Sequence, residues 1–304
     1  MEFPCHRKEK GRLIPKHMNT FTMQTLRFLS AAVITLAVSC SPSQQHNTSS
    51  RGPIEREIDL GEFFMGTDPV EATFVVLNAR TGEILRYNPA HTQRRFIPVS
   101  TFKIPLSLIA IELGVASGPD HLIPWDNIVP TDGTFWTSSW SRDHTLRSAF
   151  QNSVFWYYQR LAEQIGPDRM RRYLDQFNYG NRSMDGGLNQ FWLHGDLRIS
   201  PDEQVRFLKL MYDDRLGLSG RTTQILKDIL VLEARDDYLL SGKTGTENVT
   251  PTRELAWLVG YVEHPSDTWF FALNMEGEQV WERWGNPTQR IQIVRQLLKA
   301  IDIL

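Results

Sequence analysis

Pro98-Val99-Ser100-Thr101-Phe102-Lys103-Ile104-Pro105 follows a strand-like, turn-rich segment and opens a long apolar run, Leu106 to Val115, so it reads as a loop feeding a buried helix. On a helical turn residues i and i+3 share a face, which brings the Ser100 hydroxyl and the Lys103 amine within reach of each other. A serine is a weak nucleophile until a neighbouring base activates it. The free N–H groups of a helix start supply donors for a developing oxyanion at the same place. Standing alone, S-x-x-K is more often a capping serine with a solvated lysine. Here Phe102, Ile104, Leu106, Leu108 and Ile109 surround the lysine with apolar side chains, a setting that disfavours an ammonium and lowers its pKa. Pro105, in the fifth position of such a helix, predicts a distorted first turn.

Outward from this stretch the pattern changes twice. Thr73 to Asn78 reads as a strand, Ala79-Arg80-Thr81-Gly82 as a turn and Glu83 to Tyr87 as the antiparallel partner. From Asp120 to about Tyr212 the pattern is mostly helical: Val154 to Ile165 closed by Gly166-Pro167, Asp168 to Phe177 closed by Asn178-Tyr179-Gly180, and a helix opening on the capping box Ser200-Pro201-Asp202-Glu203. Strands return at Asp237 to Gly245, Leu255 to Val262 and Thr268 to Asn274, and Thr288 to Ile303 has the spacing of a closing helix. The expected fold class is α/β (α+β): an antiparallel sheet built from both chain ends and flanked by helices, with an inserted all-helical region. The sheet part spans about 56–98 and 236–304, and the helical part about 99–235.

With 304 residues, 41% of them hydrophobic, and a formal charge of −2, the chain can bury a substantial core and carries no basic excess that would suit nucleic acid. The only cysteines, Cys5 and Cys40, precede the folded region, so no disulfide staples the core. The eight histidines show no paired ligand spacing, and no metal is expected. Phe28 to Val38 is short for a membrane span and suits the apolar region of a signal peptide, which gives a signal segment 1–39 and a polar linker 40–55. Leu36-Ala37-Val38-Ser39-Cys40 resembles a bacterial lipoprotein signal, with Ala37 where leucine is usual. The expectation is an exported, periplasmic protein with two alternatives, a lipid tether on Cys40 or ordinary secretion. Oligomeric state has no signature in the sequence.

A second chemical element lies far downstream. Lys243-Thr244-Gly245 on a strand is by itself an ordinary edge cation with a turn glycine. An S-x-x-K at a helix start followed by K-T-G on a strand is the signature of serine β-lactamases and penicillin-binding proteins. Between them a third polar element should line the cleft, with Ser153 in Gln151-Asn152-Ser153-Val154-Phe155 and Tyr179-Gly180-Asn181 as candidates. The order of Phe96 to Pro105, the Ser153 motif, Tyr179-Gly180-Asn181, Phe191-Trp192-Leu193 and Lys243-Thr244-Gly245 resembles the class D (oxacillinase-type) serine β-lactamases. Softer similarity at Ile123-Pro124-Trp125-Asp126, Arg142-Asp143-His144 and Arg198-Ile199-Ser200 extends it over most of Glu71 to Leu304.

The resemblance implies a β-lactam as the small-molecule substrate and assigns roles. Ser100 attacks the lactam carbonyl and becomes acylated, and Lys103, carboxylated on its amine by carbon dioxide, serves as general base for acylation and deacylation. No other cofactor is implied. Trp192 donates its indole N–H to the carbamate, and Leu193 packs beside it and helps place water. Ser153 passes a proton to the leaving nitrogen, Lys243 supplies positive potential beside it, and Thr244 bonds the substrate carboxylate. The amides of Ser100 and Thr246 form the oxyanion hole, and Arg290 aligns with the carboxylate-binding arginine, with Arg283 as competitor. The chain departs from the family at Ser153-Val154-Phe155, where Ser-x-Val is usual, and at Thr246, where an aromatic residue is common. An alternative of the same fold is a β-lactam sensor or penicillin-binding protein that is acylated and does not turn over.

Overall fold

The computed structural model describes residues 54–66, 70–131 and 135–304. The expected signal segment 1–39, Cys40 and the linker as far as residue 53 lie outside the described residues. Along the chain run β1 (Glu55–Glu57), β2 (Val70–Asn78), β3 (Ile84–Tyr87), α1 (Pro89–Thr92), a 3-10 turn (Val99–Phe102) and α2 (Lys103–Glu112). The middle holds β4 (Leu122–Ile123), a 3-10 turn (Ser138–Trp140), β5 (His144–Thr145), α3 (Leu146–Gln151), α4 (Phe155–Ile165), α5 (Pro167–Gln176), α6 (Pro201–Tyr212) and α7 (Gly220–Leu230). The last third contributes β6 (Val231–Ala234), β7 (Leu239–Thr250), β8 (Arg253–His264), β9 (Asp267–Gly277), α8 (Val280–Trp284) and α9 (Pro287–Ala300).

Seven strands form one sheet in the order β1-β3-β2-β9-β8-β7-β6, so the first and last thirds of the chain meet where β2 pairs antiparallel with β9. Alternation places Phe74 and Val76 in one core and Val75 and Leu77 in the other, because successive side chains on a strand point to opposite faces. One face carries α8 and α9 through Val280, Trp284, Ile293, Val294, Leu297 and Leu298. The other carries the inserted helices, which pack around α2. That helix is buried from Lys103 through Ile111 and, apart from Lys103 and Ser107, apolar, as suits a central helix.

Three expectations need correction. The β1–β3 pair is parallel, so the sheet is antiparallel only in its other ladders. The region expected to be all-helical contains the two-stranded β4–β5 sheet and edge strand β6, which moves the start of the C-terminal sheet segment from 236 back to Val231. Pro105 does not distort α2: it is the third residue of that helix, in the first turn where amides lack intrahelical acceptors, and the tighter turn precedes it at Val99–Phe102. Among the described residues no helix is long and apolar enough to cross a membrane.

Candidate active site

The 3-10 turn and α2 place the two reactive groups together, with Lys103 Nζ 3.0 Å from Ser100 Oγ. Ser100 is the second residue of its turn, where a backbone N–H has no acceptor within the helix and faces outward as a donor. The residue before it, Val99, has φ 44°, a left-handed conformation that a β-branched residue adopts only when its surroundings impose it. Strand β7 supplies the constraint. A Cβ on Gly245 would lie 2.7 Å from Val99 Cγ2 and 3.2 Å from the Pro98 carbonyl oxygen, so only glycine lets the strand run against the nucleophile turn. The third residue of Lys243-Thr244-Gly245 is thus a condition for bringing the other two to Ser100.

Lys103 is 0% exposed, and burial pushes its amine down to about 7. Phe102 stacks on Trp192 with centroids 5.4 Å apart, and the Tyr158 ring lies 5.2 Å from Lys103 Nζ. Tyr158 is held by a 2.9 Å hydrogen bond with the Ser107 hydroxyl. Neither Tyr158 nor Ser107 stands out in the sequence, although Ser107 lies four residues after Lys103 and shares its helical face. Trp192 is fully buried, and its indole N–H has no hydrogen-bond partner among the described residues. An unpaired buried donor is costly, so this one calls for an acceptor. Leu193 is half-buried beside it.

Ser153 receives a 2.7 Å hydrogen bond from Lys243 Nζ, which also donates to the Thr244 carbonyl oxygen at 2.9 Å. The helix expected to begin at Val154 begins at Phe155, its N-cap is Val154, and no side chain caps it. The Ser153 hydroxyl is therefore directed at Lys243 and is not a helix cap. Its φ of 58° puts the serine in the left-handed region. Phe155 turns toward Trp140 and Trp136, edge-to-face at 5.3 Å and 6.0 Å between centroids. Tyr179-Gly180-Asn181, the other candidate for the third polar element, is a brace: Tyr179 packs against Phe102, and Gly180 abuts the Arg198 carbonyl, which a Cβ would approach to 2.0 Å.

Lys243 is 4% exposed, and burial first, then the positive charges of Lys103 and Arg290, hold its amine well below the usual lysine range. Arg290 reaches in from α9, 2% exposed, donating to the carbonyl oxygens of Gly245 (2.8 Å), Trp257 (3.2 Å) and Gly285 (2.8 Å). Burial lowers it to about 10. Its competitor Arg283 is half-buried elsewhere, bonding the Met65 carbonyl and stacking over Trp284. Thr244 and Thr246 follow on β7, each half-buried on either side of Gly245. The site thus gathers a hydroxyl nucleophile, a depressed amine, a second hydroxyl on a second depressed amine and a buried guanidinium, and among the described residues no acidic group contributes to the shift of either lysine.

Known proteins resemble the chain over most of its length. Residues 72–299 match the family model for the penicillin-binding protein transpeptidase domain. Beta-lactamase OXA-48 of Klebsiella pneumoniae is 38% identical over 207 residues, covering 68% of this chain and 76% of the relative. The class D beta-lactamase from Bacillus subtilis superposes with TM-score 0.72 at 30% identity, covering 81% of this chain and 97% of that one. The C-terminal domain of the Bacillus licheniformis BlaR penicillin-receptor gives TM-score 0.76 at 32% identity, covering 83% and 98%. The fold, the order of the motifs and these likenesses agree that the chain belongs to the class D serine β-lactamases.

Proposed function

We propose that the chain hydrolyses β-lactams through an acyl-enzyme on Ser100, with Lys103 carboxylated on its amine. The observation that carries the second part is the fully buried Trp192 indole N–H, which has no acceptor among the described residues. Two others support it. Only an uncharged amine adds carbon dioxide, and burial brings Lys103 to about 7, where a large fraction is uncharged at neutral pH. Two buried amines and a buried guanidinium also converge, with no acid among the described residues contributing to the shift of either amine, an arrangement suited to an anion. When present, the added carboxylate supplies a general base beside the Ser100 hydroxyl.

The chain's own residues do the rest. Ser100 Oγ passes its proton to the Lys103 side chain and attacks the lactam carbonyl, while the amides of Ser100 and Thr246 hold the oxygen that becomes negative. The C–N bond breaks, and the leaving nitrogen takes the proton of the Ser153 hydroxyl, which is replenished from Lys243 across their hydrogen bond. Reversing the charge on Lys103 would turn one of the repulsions acting on Lys243 into an attraction, making Lys243 more fully protonated and a better supply. Thr244 and the field of Arg290 hold the substrate carboxylate. Water then cleaves the Ser100 ester, returning a hydrogen to Ser100 Oγ, with Leu193 limiting how water enters. Phe155, drawn into the aromatic cluster, leaves the lysine pocket to Trp192, Phe102 and Tyr158.

The likeness to a penicillin receptor favours one other reading, acylation without turnover. The purified protein is expected to hydrolyse a chromogenic cephalosporin over many cycles, faster with added bicarbonate; one stoichiometric burst that then stops would establish the receptor reading. At fixed dissolved carbon dioxide, turnover is expected to fall as pH drops through about 7, because protonating Lys103 removes the form that adds carbon dioxide. A pH–rate profile flat between pH 6 and 8 would overturn the assignment. The same reading places the protein outside the cytoplasm, with export to the periplasm through residues 1–39 and either a lipid on Cys40 or free release.

A further inference from the structure

The turn that carries Ser153 is held from both sides by a strap with Trp140 at its centre. Helix α3 ends in a Schellman arrangement: the Val154 amide donates to the Ala149 carbonyl at 2.9 Å, and Ser153 occupies the left-handed position that normally belongs to glycine. Chemistry requires a hydroxyl where the backbone prefers glycine, so something else must fix the turn. The carbonyl just before Ser153, that of Asn152, accepts the Trp140 indole N–H at 2.8 Å. The carbonyl of Trp140 itself accepts the Trp156 indole N–H at 3.0 Å, and Trp156 lies on α4, just beyond the turn. One residue therefore ties both flanks of Ser153 to a single loop. The loop is anchored in turn: His144 Nε2 lies 2.9 Å from the Ser139 carbonyl oxygen, and Trp136 Nε1 donates to Ser141 Oγ at 2.9 Å.

We propose that Trp140 is a positioning residue for Ser153: its bond to Asn152 holds the left-handed turn that aims the Ser153 hydroxyl at Lys243, and so sets how well the leaving nitrogen is protonated. The inference rests on the proton-transfer role of Ser153 argued above. It predicts dependence on the leaving group. The nitrogen expelled from a penicillin is a basic amine that needs its proton early, whereas the nitrogen of a cephalosporin is conjugated with the adjoining double bond and leaves more readily. A misaimed hydroxyl must therefore harm penicillins more, which a loss of general packing would not do.

Trp140→Phe keeps an aromatic ring beside Phe155 and Trp136 and removes the donor together with part of the indole, a packing loss that would act on both substrates alike. It is expected to lower kcat/KM for benzylpenicillin roughly tenfold, the consequence of losing one net hydrogen bond, and to lower it much less for a chromogenic cephalosporin. Equal losses on both substrates, or a lower Tm with an unchanged ratio of kcat/KM values, would overturn the proposal. If Trp140→Phe does not fold, Trp156→Phe frees the Trp140 carbonyl and must change the ratio in the same sense. Ser153→Ala separates the two levels of the argument. If it leaves the penicillin rate intact, the role of Ser153 fails; if it slows penicillins selectively while Trp140→Phe does not, only the strap fails.

Discussion

Lys103→Ala is expected to give a protein that opens a β-lactam at Ser100 slowly and then keeps the acyl group, with kcat reduced by about 10³–10⁴, the upper part of what a positioned base contributes. The loss falls on both chemical steps, and nothing else in the site can substitute. Lys243 is engaged by Ser153 and the Thr244 carbonyl, and among the described residues no acidic group shifts either amine. The second step suffers more, because ester cleavage needs a water deprotonated at the same place. Intact-mass analysis after mixing with a penicillin should show a long-lived adduct of one substrate mass, removed by Ser100→Ala. Normal turnover would end the assignment of Lys103 as base or as bearer of one. Unfolding is not the expected cause. A lysine depressed to about 7 lowers stability most below that pH, where folding buries an ammonium, and the penalty fades as pH rises toward the unfolded value of about 10.4. Alanine relieves that penalty while opening a cavity, so denaturant melts at pH 6 should show little net destabilisation.

What could be read from the sequence was chemistry held in short segments. Ser100 and Lys103 are three residues apart on one turn, Lys243-Thr244-Gly245 is contiguous, and the strands on either side alternate or run apolar long enough to be recognised. The misreadings have physical causes. Strand β6 follows α7 with no glycine or proline between Leu230 and Val231, so no breaker marks the change. Strands β4 and β5 have two residues each, fewer than any periodicity can reveal, and β1 is three polar residues whose pairing with β3 depends on tertiary placement. Ser153 was recognisable as a candidate, whereas its left-handed backbone was not, since the helix end it closes carries no glycine to mark it and the bond to the Asn152 carbonyl comes from Trp140, twelve residues before Asn152 in an aromatic loop. Arg290 matched the family by position; its burial against three carbonyl oxygens is a property of how α9 lies on the sheet.

Trp192→Phe tests the anion without removing the amine. The substitution keeps an aromatic ring against Phe102 and Phe191 and removes a buried donor along with part of the indole, whose packing loss does not depend on bicarbonate. If that donor serves a carboxylate on Lys103, the bond is charge-assisted and buried, worth about 1.5–3 kcal/mol, and the concentration of bicarbonate giving half-maximal turnover should rise roughly 10- to 100-fold. If the indole N–H stays unpaired throughout the catalytic cycle, deleting it relieves a desolvation cost and the bicarbonate response should not move. Thermal melts distinguish the two without any substrate. Bicarbonate should raise Tm in the native protein, because a ligand that binds only the folded state stabilises it by mass action, and the increase should shrink or vanish in Trp192→Phe. Carbon-13 NMR with labelled bicarbonate identifies the cause, since a carbamate signal present in the native protein and weakened in Trp192→Phe ties the shift to the lysine. Equal signals and equal bicarbonate midpoints in both proteins would leave the indole as an ordinary part of the core.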